Sequence, residues 1–130
     1  MQMFVNLPVR DLDRTVAFFT ALGFSFNPKF TDENATCMLV GEDCFVMLLV
    51  EPFFRQFTDK QLCDTATSIE TLVALGAESR EGVDALLKAA LDAGAREPRP
   101  AQDHGFMYTR SFEDLDGHTW EIFYMSGDPA

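Results

Sequence analysis

Basic residues are scarce in this chain. Ten Lys and Arg stand against 21 Asp and Glu, a formal net charge of −11 with a pI near 4.4. Such a balance repels phosphate backbones and anionic headgroups, so nucleic acid and membrane surfaces are excluded as partners. The acidic residues are spread along the chain, as on a solvated surface, and are compatible with a cationic ligand. Cysteine is sparse too. Cys37, Cys44 and Cys63 form an odd set with no CxxC spacing, which reads as reduced thiols in a cytoplasmic protein and not as a zinc or redox motif. Histidine occurs twice, at His104 and His118. No apolar run approaches a membrane span and no charged-then-apolar leader opens the chain, so a complete cytoplasmic protein is expected. Apolar mass is plentiful: 47% hydrophobic residues and 13 Phe in 130 residues, enough for one domain with a real core.

The stretch GFMYTRSFEDLDGHTWEIFY, from Gly105 to Tyr124, organises the rest. Two β-rich runs, Phe106–Phe112 and His118–Tyr124, flank EDLDG, and Asp116-Gly117 is a hairpin signal because Gly tolerates φ > 0. A turn centred between Leu115 and Asp116 sets Arg110 across from Glu121, Tyr108 across from Phe123 and Phe112 across from Thr119. A bulge at the turn would shift this register by one and undo the pairing. Glu121 is the unexpected residue, a carboxylate in a strand among aromatics. Two readings stay open: a structural ion pair with Arg110, or a cavity-lining group that acts as acid/base or metal ligand.

Met3–Val9 alternates, with Val5, Leu7 and Val9 on one face and Phe4, Asn6 and Pro8 on the other, and reads as a strand. Asp11 or Asp13 can cap the following helix, whose apolar stripe is Leu12, Val16, Phe19 and Leu22 with Phe18 beside it, and Gly23 stops it. Phe24–Phe30 is extended around Asn27-Pro28. Ala35–Val40 and Cys44–Val50 read as strands joined at 41–43. The segment after Glu51-Pro52 reads as a plain connection in preference to a helix over a cavity mouth. Ser68–Ala77 reads as a strand. Ser79 caps the best helical pattern in the chain, Val83, Leu86, Leu87, Ala90 and Leu91, which Gly94 ends. Residues 96–105 read as a loop and Gly127–Ala130 as a loose tail.

The two halves repeat one plan, with Gly23 and Gly94 in the same role. The predicted fold is α+β: two pseudo-repeated β-α-β-β-β modules forming a cupped mixed sheet with helices outside. Module 1 covers about 1–50, the connection about 51–67 and module 2 about 68–126, within a single domain. A cavity lined by sheet residues of both halves is the expected ligand site.

NLPVRDLDRTVAFFTALGF resembles the strand–helix opening of the vicinal oxygen chelate superfamily, which holds glyoxalase I, bleomycin-resistance proteins and extradiol dioxygenases. EDLDGHTWEIF resembles its closing D-x-D-G turn and Glu-bearing strand. DHGFMYTRSFEDLDGHTWEIFYM also resembles a branch labelled predicted lactoylglutathione lyases. The resemblance covers nearly the whole chain. It implies His or Glu at four cavity positions in the metal enzymes. Carried over, the last of these falls on Glu121, the first on Phe4 or Asn6, and the middle ones near Leu48 and Leu72. Phe4, Leu48 and Leu72 are apolar and cannot bind a divalent ion, and zinc or nickel sites need three or four protein ligands. No cofactor and no metal are therefore expected, with Glu121 the single candidate ligand should a divalent ion be present.

The resemblance then implies a protein that holds a small organic ligand in a mostly apolar cavity. Glu121 is the candidate catalytic acid/base. Asn6, Tyr108 and Arg110 are the candidate polar contacts, and Phe4, Leu48, Leu72, Phe112 and Phe123 the apolar ones. A bleomycin-resistance-type binding protein that sequesters a cationic drug is the first alternative, and a metal-dependent lactoylglutathione lyase the second. An enzyme of this kind would be a glyoxalase-like lyase or isomerase, or dioxygenase-related. A homodimer is implied by the same resemblance. His104 beside Asp103 is a further candidate for proton transfer, whereas His118 is expected to be exposed at the turn exit.

Overall fold

The computed structural model describes residues 1–127. The expected tail lies, beyond Gly127, outside the described residues. The chain forms two compact units, Met1–Leu62 and Cys63–Ala130.

The first unit runs β1 (Met3–Val9), α1 (Leu12–Ala21), β2 (Ser25–Asn27), a 3-10 turn at Pro28–Phe30, β3 (Ala35–Gly41), β4 (Cys44–Val50) and α2 (Glu51–Phe54) with a 3-10 turn at Arg55–Phe57. Its sheet has the order β1-β4-β3-β2, with β1 and β4 parallel. Asp11 caps α1 by accepting from the Arg14 backbone N–H at 3.1 Å, and Gly23 ends it at φ 100°. The buried stripe of α1 is Leu12, Thr15, Phe18 and Phe19. Thr15 replaces the expected Val16 because its hydroxyl donates to the Asp11 carbonyl at 3.0 Å, which satisfies the polar group inside the helix. Residues 51–57 are helical where a plain connection was expected. Pro52 sits in the first turn, where no N–H is needed.

The second unit repeats the plan: β5 (Leu72–Gly76), α3 (Arg80–Asp92), β6 (Gln102–Asp103), β7 (Met107–Glu113) and β8 (Thr119–Met125). The sheet order is β5-β8-β7-β6, with β5 and β8 parallel, the same topology as in the first unit. The β-α-β-β-β repeat and the α+β class are borne out. Ser79 caps α3 by accepting from the Gly82 N–H at 2.9 Å. Val83, Leu87 and Ala90 are its buried positions. Two expectations are corrected. β5 begins at Leu72 and not at Ser68, since Asp64 gathers the Thr67 and Ser68 N–H groups into a turn. The 96–105 segment is not all loop, since β6 pairs with β7 and Arg96 bridges Glu113. Among the described residues no helix is long and apolar enough to cross a membrane.

Candidate functional site

The β7–β8 hairpin decides what the second unit can do. Its strands pair Ser111 with Glu121, Arg110 with Ile122, Tyr108 with Tyr124 and Phe112 with Trp120. This is one residue away from the expected register. Asp114 closes the loop with His118 instead of with Gly117. Its N–H donates to the His118 carbonyl at 2.9 Å, and Gly117 N–H donates back to the Asp114 carbonyl at 3.0 Å. Leu115, Asp116 and Gly117 then make a three-residue loop with Gly117 at φ 81°, the arrangement in which a type I turn is followed by a left-handed residue.

The Asp114 side chain fixes that loop. Oδ1 accepts from the backbone N–H of Asp116 at 2.9 Å and of His118 at 3.0 Å. Oδ2 accepts from the Trp120 indole N–H at 2.9 Å. Burial pushes the Asp114 carboxyl above its ordinary range, and His118, Trp120 and the two backbone donors pull it back. His118 is buried and not exposed. Asp114 in D-x-D-G was the available sequence signal, because an Asp accepting N–H bonds from the residues that follow it builds such a turn.

The register shift separates Arg110 from Glu121. Arg110, Tyr108, Phe112, Trp120 and Ile122 share the face that α3 covers. There the Arg110 guanidinium donates to Asp84 at 3.0 Å and, in a fork, to Glu97 at 2.9 and 3.2 Å. The Tyr108 hydroxyl donates to Asp84 at 2.7 Å, which with Arg110 draws the Asp84 carboxyl below its usual range. Phe112 is fully buried and stacks on Trp120 at 6.2 Å. The expected ion pair of Arg110 with Glu121 and the pairing of Tyr108 with Phe123 are thus corrected.

Glu121 lies on the opposite face. Rows across the sheet set Gln102, Thr109, Phe123 and Gly76 in one line, Ser111, Glu121 and Ala74 in the next, and Glu113, Thr119 and Leu72 in a third. Over these rows is a cavity of about 350 Å³, lined by Glu121, Leu72, Thr109, Ser111 and Thr119 from the sheet, by Ile69, and by Pro98, Arg99, Pro100 and Gln102 from the preceding segment; Arg110 adds to its wall. Phe123 shares the face but not the cavity, because its ring lies over Gly76, 3.3 Å from where a Cβ would stand. Glu121 has no hydrogen bond or ion pair among the described residues. The Thr109 hydroxyl is buried with no hydrogen-bond partner.

In the first unit Phe4 pairs with Phe45 and Asn6 with Met47, whereas Leu48 pairs with Leu7. Phe4 and Asn6 therefore share a face, on which Phe4 stacks on Phe45 at 4.6 Å. Leu48 points the other way, fully buried beside Leu7. Its expected place with Phe4 and Asn6 is corrected, since strand periodicity gives that face to Met47. His104 is exposed. Asp103 does not orient it: its carboxylate is taken by Arg80 at 2.7 and 3.0 Å and by the Gly105 N–H at 2.9 Å.

Among the described residues no group of three or more His, Cys, Asp or Glu could hold a metal ion. The other oxygen donors lining the cavity with Glu121 are the Ser111, Thr109 and Thr119 hydroxyls and the Gln102 amide. One carboxylate among neutral oxygens is not the N, S or multiple-carboxylate set that divalent transition metals take, so these residues do not fit a resident metal. Arg99, Thr109, Ser111 and Thr119 were not picked out from the sequence.

Residues 2–41 match the family described as bleomycin resistance protein-like N-terminal. No curated protein matches the sequence. Among solved structures, a hypothetical protein, SA1046 from S. aureus, is 28% identical, with 95% of this chain and 93% of that one covered at a TM-score of 0.82. A glyoxalase-related enzyme from Fulvimarina pelagi is 17% identical, with 95% and 87% covered at 0.80. A fosfomycin resistance protein, FosX from Mesorhizobium loti, is 15% identical, with 99% and 92% covered at 0.68.

Proposed function

From the premise that this chain has the vicinal oxygen chelate fold, with a bleomycin-resistance-like N-terminal segment, we propose that its second unit holds a small organic ligand without a resident metal. The ligand sits on the sheet face away from α3 and presents a hydrogen-bond donor to Glu121. The observation that carries this reading is the state of that carboxylate. It lines the cavity with no hydrogen bond or ion pair among the described residues, while the Arg110 guanidinium, its expected partner, is bound by Asp84 and Glu97. A half-buried carboxylate without a partner is costly unless something meets it, and buried charges are normally paired. Leu72, Ile69, Pro98 and Pro100 supply the apolar wall, and the volume lies near the lower end for small-molecule sites. Glu121 is also the group placed to accept a proton from what binds there.

Thermal-shift screening of a small-molecule library against the chain and its Glu121→Gln variant tests this. Ligands of the site raise the melting temperature of the parent and not of the variant. One divalent ion held tightly per chain, and released on Glu121→Gln, would overturn the metal-free reading. Sequestration of a cationic drug, as in bleomycin resistance, is the second reading, favoured by the match over residues 2–41 and the charge of −11. A cationic glycopeptide would then raise the melting temperature most. A cytoplasmic homodimer remains part of the proposal, to be checked by gel filtration. The metal-dependent lactoylglutathione lyase reading finds no ligand set among the described residues.

A further inference from the structure

We infer that the ligand of this cavity is zwitterionic, with an anionic group at Arg99 and an ammonium group at Glu121. This rests on reading the cavity as the ligand site. Arg99 and Glu121 line the same hollow, yet among the described residues neither has an ion pair, with the other or with anything else. The two opposite charges stand apart with Leu72, Ile69, Pro98 and Pro100 in the same wall. A ligand carrying both charges satisfies both ends, and one carrying a single charge leaves the other end unmet.

Arg99 is not a casual surface residue. The Arg96 N–H donates to the Glu113 carbonyl at 3.1 Å, and Glu113 N–H donates back at 2.7 Å. Glu97 is held by the Arg110 fork, and Gln102 and Asp103 are paired into the sheet through Thr109 and Tyr108. The segment between these anchors reads Pro98-Arg99-Pro100-Ala101. Proline fixes its own φ and restricts the residue before it to extended conformations, so little backbone freedom is left to lose when Arg99 meets an anion. In a chain of net charge −11, a cation lining the cavity favours the approach of an anion. The buried Thr109 hydroxyl, without a partner, adds a donor or acceptor within the same wall.

The test is calorimetric titration with ω-amino carboxylates of increasing chain length, beside the carboxylates and amines of matching length. At the best length the amino carboxylate binds at least about tenfold more tightly than either single-charge analogue. Arg99→Gln, at an exposed loop position that leaves the core untouched, removes its advantage over the amine. Glu121→Gln removes its advantage over the carboxylate. An amine that binds as tightly as the best amino carboxylate overturns the inference and leaves the cavity reading standing. So does failure of the whole series to bind while library ligands still depend on Glu121. Failure of both the series and the library overturns the cavity reading itself.

Discussion

Arg110 and Glu121 should be energetically independent, although a hairpin one residue out of register would make them partners. In the structure Arg110 donates to Asp84 at 3.0 Å and to Glu97 at 2.9, 3.1 and 3.2 Å. Hydrogen bonds to charged groups contribute about 1.5–3 kcal/mol when shielded. Here the side chains are 24%, 51% and 25% exposed for Arg110, Asp84 and Glu97, so screening reduces the sum. Arg110→Gln is expected to cost about 1–2 kcal/mol. Glu121 has no such partner, so Glu121→Gln should change stability by less than about 0.5 kcal/mol, or raise it. The double variant should then show a coupling energy below about 0.5 kcal/mol, as separate sites do. Trp120 is the single tryptophan and is fully buried in the same unit, so its fluorescence in a urea titration reports the unit that holds both residues. A coupling of about 1 kcal/mol or more, or a loss of that size from Glu121→Gln alone, would refute the register and the free carboxylate together.

Other consequences can be measured the same way. Asp114→Ala strips acceptors from the Asp116 and His118 N–H groups and the Trp120 indole, and should cost about 2–4 kcal/mol; a loss below about 1 kcal/mol would contradict the role given to this carboxylate. Gly117→Ala places a Cβ 2.6 Å from the Thr65 hydroxyl at φ +81°. The left-handed backbone alone costs about 1–2 kcal/mol, so a variant as stable as the parent would rule out this loop geometry. The Arg80 hydrogen bond and the Gly105 N–H lower the Asp103 carboxyl to about 2. Its folded value lies below the unfolded one near 3.9, so its contribution is present above about pH 4 and is lost as pH falls toward about 2. The stability difference between parent and Asp103→Asn should shrink across that window, and a flat difference would show the pair to be idle. Asp114 has the opposite sign. Its folded value is raised, so its contribution declines as pH rises from about 4, and the stability of the parent relative to Asp114→Asn should fall in that direction.

The elements with strong local signals were legible in the sequence. β1 and β4 lie where alternation and apolar continuity placed them. Ser79 and Gly94 bracket α3 as cap and stop, and the repeated topology followed from the spacing of those signals. Register was not legible, because one extra residue in the hairpin loop turns every side chain to the other face. That single residue moved Arg110, Tyr108 and Phe112 under α3 and left Glu121 with Ser111 and Thr109. The same period explains Leu48, one residue from the face to which it was assigned. Arg99 was not legible because its position depends on anchors distant in sequence, the Arg96–Glu113 bridge and β6. A Pro-flanked Arg looks like any loop residue until its neighbours are paired.

The most direct test of the proposed site is an amide NMR titration of the 15N-labelled chain with the ligands that thermal shift selects. Shifts are expected to concentrate at Leu72, Thr109, Ser111, Thr119 and Glu121, and to disappear in Glu121→Gln. Shifts centred on the α3 face, at Tyr108 and Asp84, or shifts that survive the loss of the Glu121 carboxylate, would contradict the proposed site.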